Sequence, residues 1–301
     1  MRVNPDYVTN LVGSLNQVTA NEQTLTEEIS TGVTVNSLSD NPAAAGLNVL
    51  LSEQLNADDT FSQTASSVES MLQVGDSALG NVITQLTSAI SLATEANNGT
   101  LNASNEESIA TQLTGIRDEV LSLANSSYMG QYIFAGSQGG SAPFTIDTTT
   151  TPATVTYNGD TNISYVETPT GQQIQTNIPG SQIFTAAGAN NVLGTLNDLI
   201  ADFSSGTPAA SSVTDLENLN TALNYVSQQR VVLDDSITRL TAAGNYNSSQ
   251  STQLASAQNA LIQTNTAQAA SQLSSAETQQ ASLTQVIAAI DQQGTLFSYL
   301  Q

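Results

Sequence analysis

The sequence predicts a mainly α protein with a small inserted β domain, built as a long antiparallel coiled-coil or helical-bundle rod whose terminal helices pair with each other. Three observations carry this. Apolar residues recur at alternating steps of three and four through most of the chain, which is the seam of a coiled coil rather than the wider stripe of a globular surface helix. The pattern gives way over 130–184 to Gly, Thr, Pro and alternating apolar residues. It is also broken near both ends, at 31–45 and at 244–249. One helix at each terminus therefore lies outside the rod.

The first helix places Val8, Leu11, Leu15, Val18, Leu25 and Ile29 on one stripe, interrupted by Glu22. It has little else to bury, so it needs a partner to be stable. The first joint follows. Asn41 is the expected N-cap and Pro42 the expected first helical residue, where the missing N–H costs nothing. The residue before proline is pushed out of the α region, so the first helix is not expected to run through. The second helix runs from Pro42 to about Asn97, with Gly99 as the residue that closes it. Gly75 falls on its seam between Leu72 and Leu79, which points to close approach of a neighbouring helix.

Ser104-Asn105-Glu106-Glu107 reads as a capping box opening a third helix, with Ile109, Leu113, Ile116, Val120 and Leu123 on one face. This helix is expected to fold back on the second half of the second. Short strands are expected at 131–135, 154–157, 163–166 and 173–176, with Asn158-Gly159-Asp160 as a hairpin turn and 147–151 as a loop. A short helical element over 192–203 is closed by Gly206. The return helix carries Leu216, Leu219, Leu223, Val226, Arg230, Leu233, Ile237 and Leu240 and is expected to end at Gly244-Asn245, with the second break at 246–249. The last helix holds Ile262, Ala269, Leu273, Ala276, Leu283, Ile287, Ile290 and Phe297 in register. The expected segments are thus 1–41 (N-terminal coiled-coil helix and joint), 42–129 (two rod helices), 130–190 (β domain), 191–244 (return helix) and 245–301 (joint and C-terminal helix).

Composition excludes most site chemistry. The 301 residues include no Cys, His, Trp or Lys, and 26 acidic residues against four arginines give a net charge of −22. With no basic patch to neutralise phosphates, nucleic acid and anionic membrane surfaces are not expected partners. No thiolate nucleophile, imidazole base or ordinary zinc site can form. No run approaches the roughly 20 apolar residues a membrane span needs. The N-terminus lacks an apolar signal-peptide core, so export is expected without a cleaved signal. No paired-carboxylate, phosphate-loop or nucleophile pattern is found. No catalytic, cofactor-binding or metal residue is therefore expected, and an enzyme is the poorest reading.

The candidate functional residues are structural. Leu11, Leu15, Val18, Leu25, Ile29, Leu283, Ile287, Ile290 and Phe297 form an assembly seam between the terminal helices. Asn36, Asp40, Asn41 and Pro42 form the joint. Two seam positions are charged, Asp58 and Arg230. With the breaks at Pro42 and Asn245 side by side, facing positions have numbers adding to about 287, so that Phe61 faces Val226 and Val68 faces Leu219. Asp58 and Arg230 fall one residue from that register, and an ion pair between them is expected to fix the alignment.

The joint VNSLSDNPAAAGL, 35–47, resembles the Asn-Ser…Asp-Asp-Pro-Ala-Ala signature of the flagellin superfamily, with Asn41 where a second Asp is commoner. Gly130-Gln131-Tyr132-Ile133-Phe134-Ala135-Gly136, Pro143-Phe144, Tyr157-Asn158-Gly159-Asp160, Ile178-Pro179-Gly180 and Ile183-Phe184 are similar to the FlgL family, hook-associated protein 3. The resemblance implies a structural protein of the bacterial flagellum, outside the cell, forming a junction layer between hook and filament. It implies further copies of itself, hook-associated protein 1 and flagellin as partners, type III export, and an export chaperone on the C-terminal helix. The same architecture would serve flagellin itself. A secreted helical adhesin or translocator is the alternative of another class.

Overall fold

The computed structural model describes residues 5–36, 41–206 and 209–298. The chain forms two compact units, one of residues 1–56 with 250–301 and one of 57–249. Helix α1 spans Pro5–Thr31, α2 Pro42–Ala96 and α3 Ala103–Ala124. Six short strands follow: β1 Ser127–Tyr128, β2 Gln131–Tyr132, β3 Phe144–Asp147, β4 Thr154–Tyr157, β5 Tyr165–Glu167 and β6 Gln173–Gln175. Then come α4 Gly180–Ile183, a single 3₁₀ turn at Gly188–Asn190, α5 Val192–Ser204, α6 Ser212–Ile262 and α7 Thr266–Ser298.

In the unit of 57–249 the seam keeps a strict seven-residue step. On α2, Ala65, Leu72, Leu79, Leu86 and Ala93 are all buried; on α6, Leu219, Val226, Leu233 and Leu240 are buried at the same interval. Burying each such leucine contributes about 2 kcal/mol. At Gly75 a Cβ would stand 3.4 Å from Ile133 and 3.6 Å from Leu233 on α6, which is ordinary contact, so the expected close approach of a neighbouring helix is not seen there. The third helix shares a surface groove with the second half of α2, lined by Ser88 and Leu92 from one and Gln112 and Ile116 from the other, but its cap is Asn102. The Asn102 side chain accepts from the N–H of Asn105, and α3 starts two residues before the expected Ser104 cap would allow. Helix α5 is buried along Leu193, Leu196, Leu199 and Phe203. It packs on α3, where the buried Arg117 donates to Asn197 Oδ1 at 3.2 Å.

The strand region differs from expectation in two ways. The strands form three separate antiparallel pairs, β1–β2, β3–β4 and β5–β6, and two of the strands, β1 and β3, lie where none was expected. Phe134, Phe144, Ile174, Ile183 and Phe184 belong to the same apolar core as the helices. Phe184 is the hub, with ring centroids 5.3 Å from Phe134 and 5.4 Å from Phe144. No two-stranded ladder could bury these rings alone. Asn158-Gly159-Asp160 is also not a hairpin turn, because β4 pairs back to β3 with Phe144 opposite Tyr157. Asp160 instead organises a loop: it accepts from the Ser137 N–H (2.9 Å), the Ser137 hydroxyl and the Asn162 N–H (3.0 Å).

The largest correction concerns the second break. Helix α6 runs unbroken through Gly244-Asn245 and 246–249 to Ile262. Nothing crowds Gly244, and one helical glycine costs only about 1 kcal/mol. Buried Leu240 and Asn247 on either side hold the helix across it. The true break is at 263–265, where Asn265 accepts from the Gln268 N–H at 3.2 Å and caps α7. Asn265-Thr266-Ala267-Gln268 is itself a capping-box spacing.

Candidate assembly site

In the unit of 1–56 and 250–301, the two breaks are hydrogen-bonded to each other. Val33 and Gln263 form an antiparallel bridge. Thr34 donates through its N–H (2.7 Å) and its hydroxyl (3.0 Å) to the Ile262 carbonyl, and the Thr264 N–H donates to Gly32 O at 3.0 Å. Each chain leaves this ladder into a helix started by an asparagine. Asn41 accepts from the Ala44 N–H at 3.1 Å and Pro42 opens α2; Asn265 does the same for α7. Asn36 donates from Nδ2 to Val33 O at 3.2 Å, bracing the ladder. Asp40, the remaining expected joint residue, lies outside the described residues.

The terminal helices α1 and α7 pack on each other. Leu25 is buried, at 5% exposure, together with Ala269 and Ala276. Leu11, Leu15, Val18, Ile29, Leu283, Ile287 and Ile290 are only half-buried, and the side chain of Phe297 lies outside the described residues. Gln280 donates to the Thr19 hydroxyl at 3.2 Å. The seam is therefore in place but thin, with Val12 and Val286 each 42% exposed beside it.

The expected Asp58–Arg230 pair does not form. Arg230 binds Asp76 instead, with Nε to Oδ1 at 2.6 Å and Nη2 to Oδ2 at 3.0 Å. Its guanidinium lies over Gly80, where an added Cβ would stand 3.6 Å from it, in ordinary contact. The Asp76 carboxylate holds the Arg230 pKa above its ordinary value, by hydrogen bonding and charge. The fully buried Asp58 faces Asn247, which donates from Nδ2 to the Asp58 carbonyl at 2.7 Å. The reason is the misplaced break. Pairing Pro42 with Thr264 gives numbers adding to about 306, the value for Asp76 with Arg230. The register is thus shifted by roughly five helical turns from that expected. Phe61 and Val68 are accordingly not opposite Val226 and Leu219.

One further electrostatic feature had no sequence signal. Asp198 and Asp202 on α5 converge with Asp215 in the first turn of α6, with Ser211 donating to both Asp202 oxygens at 2.8 and 3.0 Å. Desolvation, then repulsion from Asp198 and Asp202, pushes the Asp215 pKa up to about 6. Asp215 lies 13 and 17 positions beyond Asp202 and Asp198, too far for a local motif to reveal.

Among the described residues no group of three or more acidic, His or Cys side chains could hold a metal ion. None of the described helices is long and apolar enough to cross a membrane.

Residues 8–139 match the bacterial flagellin N-terminal helical region. Flagellar hook-associated protein 3 of Salmonella typhimurium is 32% identical over 187 residues, 62% of this chain and 57% of that protein. The protein of the same name from Escherichia coli is 30% identical over 209 residues, 67% of this chain and 65% of that one. The matches thus span a little under two thirds of these relatives' length. The crystal structure of flagellar hook-associated protein-3 from Legionella pneumophila superposes with a TM-score of 0.63 at 13% identity, covering 70% of this chain and 98% of that one. That likeness shows a common fold.

Proposed function

We propose that this chain, a member of the hook-associated protein 3 (FlgL) family within the flagellin superfamily, is a structural protein of the flagellum that forms the junction layer between hook and filament. The observation that carries this reading is the half-buried seam of α1 and α7. Leu11, Leu15, Val18, Ile29, Leu283 and Ile287 remain partly exposed after the two helices have paired. Such a surface gains its remaining burial from neighbouring subunits. The partners in this reading are further copies of the same chain, hook-associated protein 1 on the hook side and flagellin on the filament side. An export chaperone holds the C-terminal helix before assembly outside the cell. The role requires no reaction, which agrees with a chain lacking both His and Cys.

A deletion strain tests the proposal. Flagellin that is still synthesised but released into the medium as monomer, with hooks lacking filaments, is the expected result. Loss of the major filament protein itself would make the chain a filament subunit. Intact motility with reduced attachment would make it an adhesin.

A further inference from the structure

The sequence contains two Asn-Gly pairs, Asn98-Gly99 and Asn158-Gly159. In such a pair the glycine nitrogen can attack the asparagine carboxamide, because no Cβ obstructs it. The structure holds the two pairs differently. Asn98 and Gly99 are exposed just beyond the end of α2, with Gly99 at φ +67° and nothing within 4 Å of the position a Cβ would take. The Asn98 N–H donates to Glu95 O at 3.3 Å, but its carboxamide and the Gly99 N–H make no hydrogen bond among the described residues. Asn158 is tied down by its Nδ2, donating to Thr145 Oγ1 at 3.1 Å, and by its N–H, donating to Pro143 O at 2.7 Å. Gly159 is wedged in place: a Cβ there would stand 2.5 Å from the Tyr157 ring and 2.7 Å from Ala135 O.

We infer that Asn98 is a site of spontaneous deamidation and that the fold protects Asn158 from the same reaction. The Gly99 nitrogen, losing its proton, bonds to the Asn98 side-chain carbonyl carbon. The carboxamide nitrogen leaves as ammonia, carrying that proton, and a cyclic succinimide remains. Water then opens the ring at either carbonyl, giving aspartate or isoaspartate. Both products place a new carboxylate at the negative end of the α2 dipole, three residues from Glu95. Isoaspartate also lengthens the backbone by one atom immediately after Asn97. The Asn97 side chain clasps the start of α6, accepting from the Ser212 hydroxyl at 2.6 Å and donating to Ser212 O at 3.3 Å. Modification loosens that clasp.

The test is to incubate the full chain in warm, mildly alkaline buffer made with heavy-oxygen water and to map peptides by mass spectrometry. The Asn98 peptide is expected to gain the heavy label and split into aspartate and isoaspartate forms. Breaking the Asn158 hydrogen bonds first slows its ring closure on the order of tenfold relative to Asn98. The Asn98→Gln variant is expected to keep its original charge on isoelectric focusing over the same period. In urea the Asn158 rate is expected to rise to that of Asn98. Asn98 remaining intact while Asn158 converts overturns the inference, as does an Asn98→Gln variant that acidifies at the wild-type rate. Equal slowness of Asn158 in urea overturns the protective role of the fold.

Discussion

The Asp76–Arg230 pair offers a direct measure of how α2 and α6 are aligned, because it exists only in the observed register. The pair has two short hydrogen bonds in fork geometry, and the side chains of Arg230 and Asp76 are 40% and 19% exposed. Two charges this close would attract by several kcal/mol at the effective dielectric of a protein surface, but solvent screening and side-chain entropy reduce exposed pairs to about 1 kcal/mol or less. Bidentate geometry puts this one at the upper end, so a double-mutant cycle with Asp76→Ala and Arg230→Ala should return a coupling of about 1 kcal/mol. Arg230→Ala alone should cost somewhat more, because the guanidinium also covers Gly80. For a unit of this size each kcal/mol lowers the melting temperature by about 2–4 °C. Thermal or urea unfolding of the four proteins gives the cycle, and raising the salt should shrink the coupling. A parallel cycle of Asp58→Asn with Arg230→Ala should be additive within about 0.5 kcal/mol. A 76–230 coupling indistinguishable from zero, or a 58–230 coupling near 1 kcal/mol, would refute the register.

Two further outcomes follow from the geometry. Asp215 holds its proton more tightly folded than unfolded, with a folded pKa of about 6. Its penalty is therefore absent below the ordinary carboxylate range, grows as pH rises through about 6 and is complete above it. Discounted for its partial exposure, the penalty is about 1 kcal/mol. Asp215→Asn should thus be more stable than wild type near pH 7.5, with the gap closing as pH falls toward 4; a gap that does not change with pH would refute ionisation of Asp215, against burial and then Asp198 and Asp202, as its cause. Asn41→Ala and Asn265→Ala should each cost about 1 kcal/mol of helix-start stability, read by the loss of helical circular dichroism on heating; an effect at Asn41 alone would mean that α7 does not depend on its cap.

How much of this was legible depended on how local the signal was. The seven-residue seam and the Asn41-Pro42 restart could be read directly, since each rests on residues within one or two turns. The second break could not, because two candidates competed. Gly244-Asn245 looks like a helix end, yet the packing of Leu240 and Asn247 carries α6 through it. Asn265 with Gln268 offered the correct signal from within a polar, alanine-rich stretch. The error then propagated: the partner of Arg230 follows from where the breaks sit, so a wrong break named Asp58. The strand pairings were lost for another reason. Phe144 and Phe184 look like ordinary apolar residues in sequence, and only the tertiary fold brings their rings together.

The ladder between Val33 and Gln263 is also a phase reference. It ties a fixed residue of the α1 side to a fixed residue near the start of α7, and the seam begins only eight positions away at Leu25 and six at Ala269. One residue inserted between Leu25 and Val33 would turn every upstream side chain about 100° around the α1 axis while α7 stayed as it was. Leu25 would swing out of the seam and a polar neighbour would swing in. The two terminal helices can therefore tolerate changes of composition far more readily than changes of length.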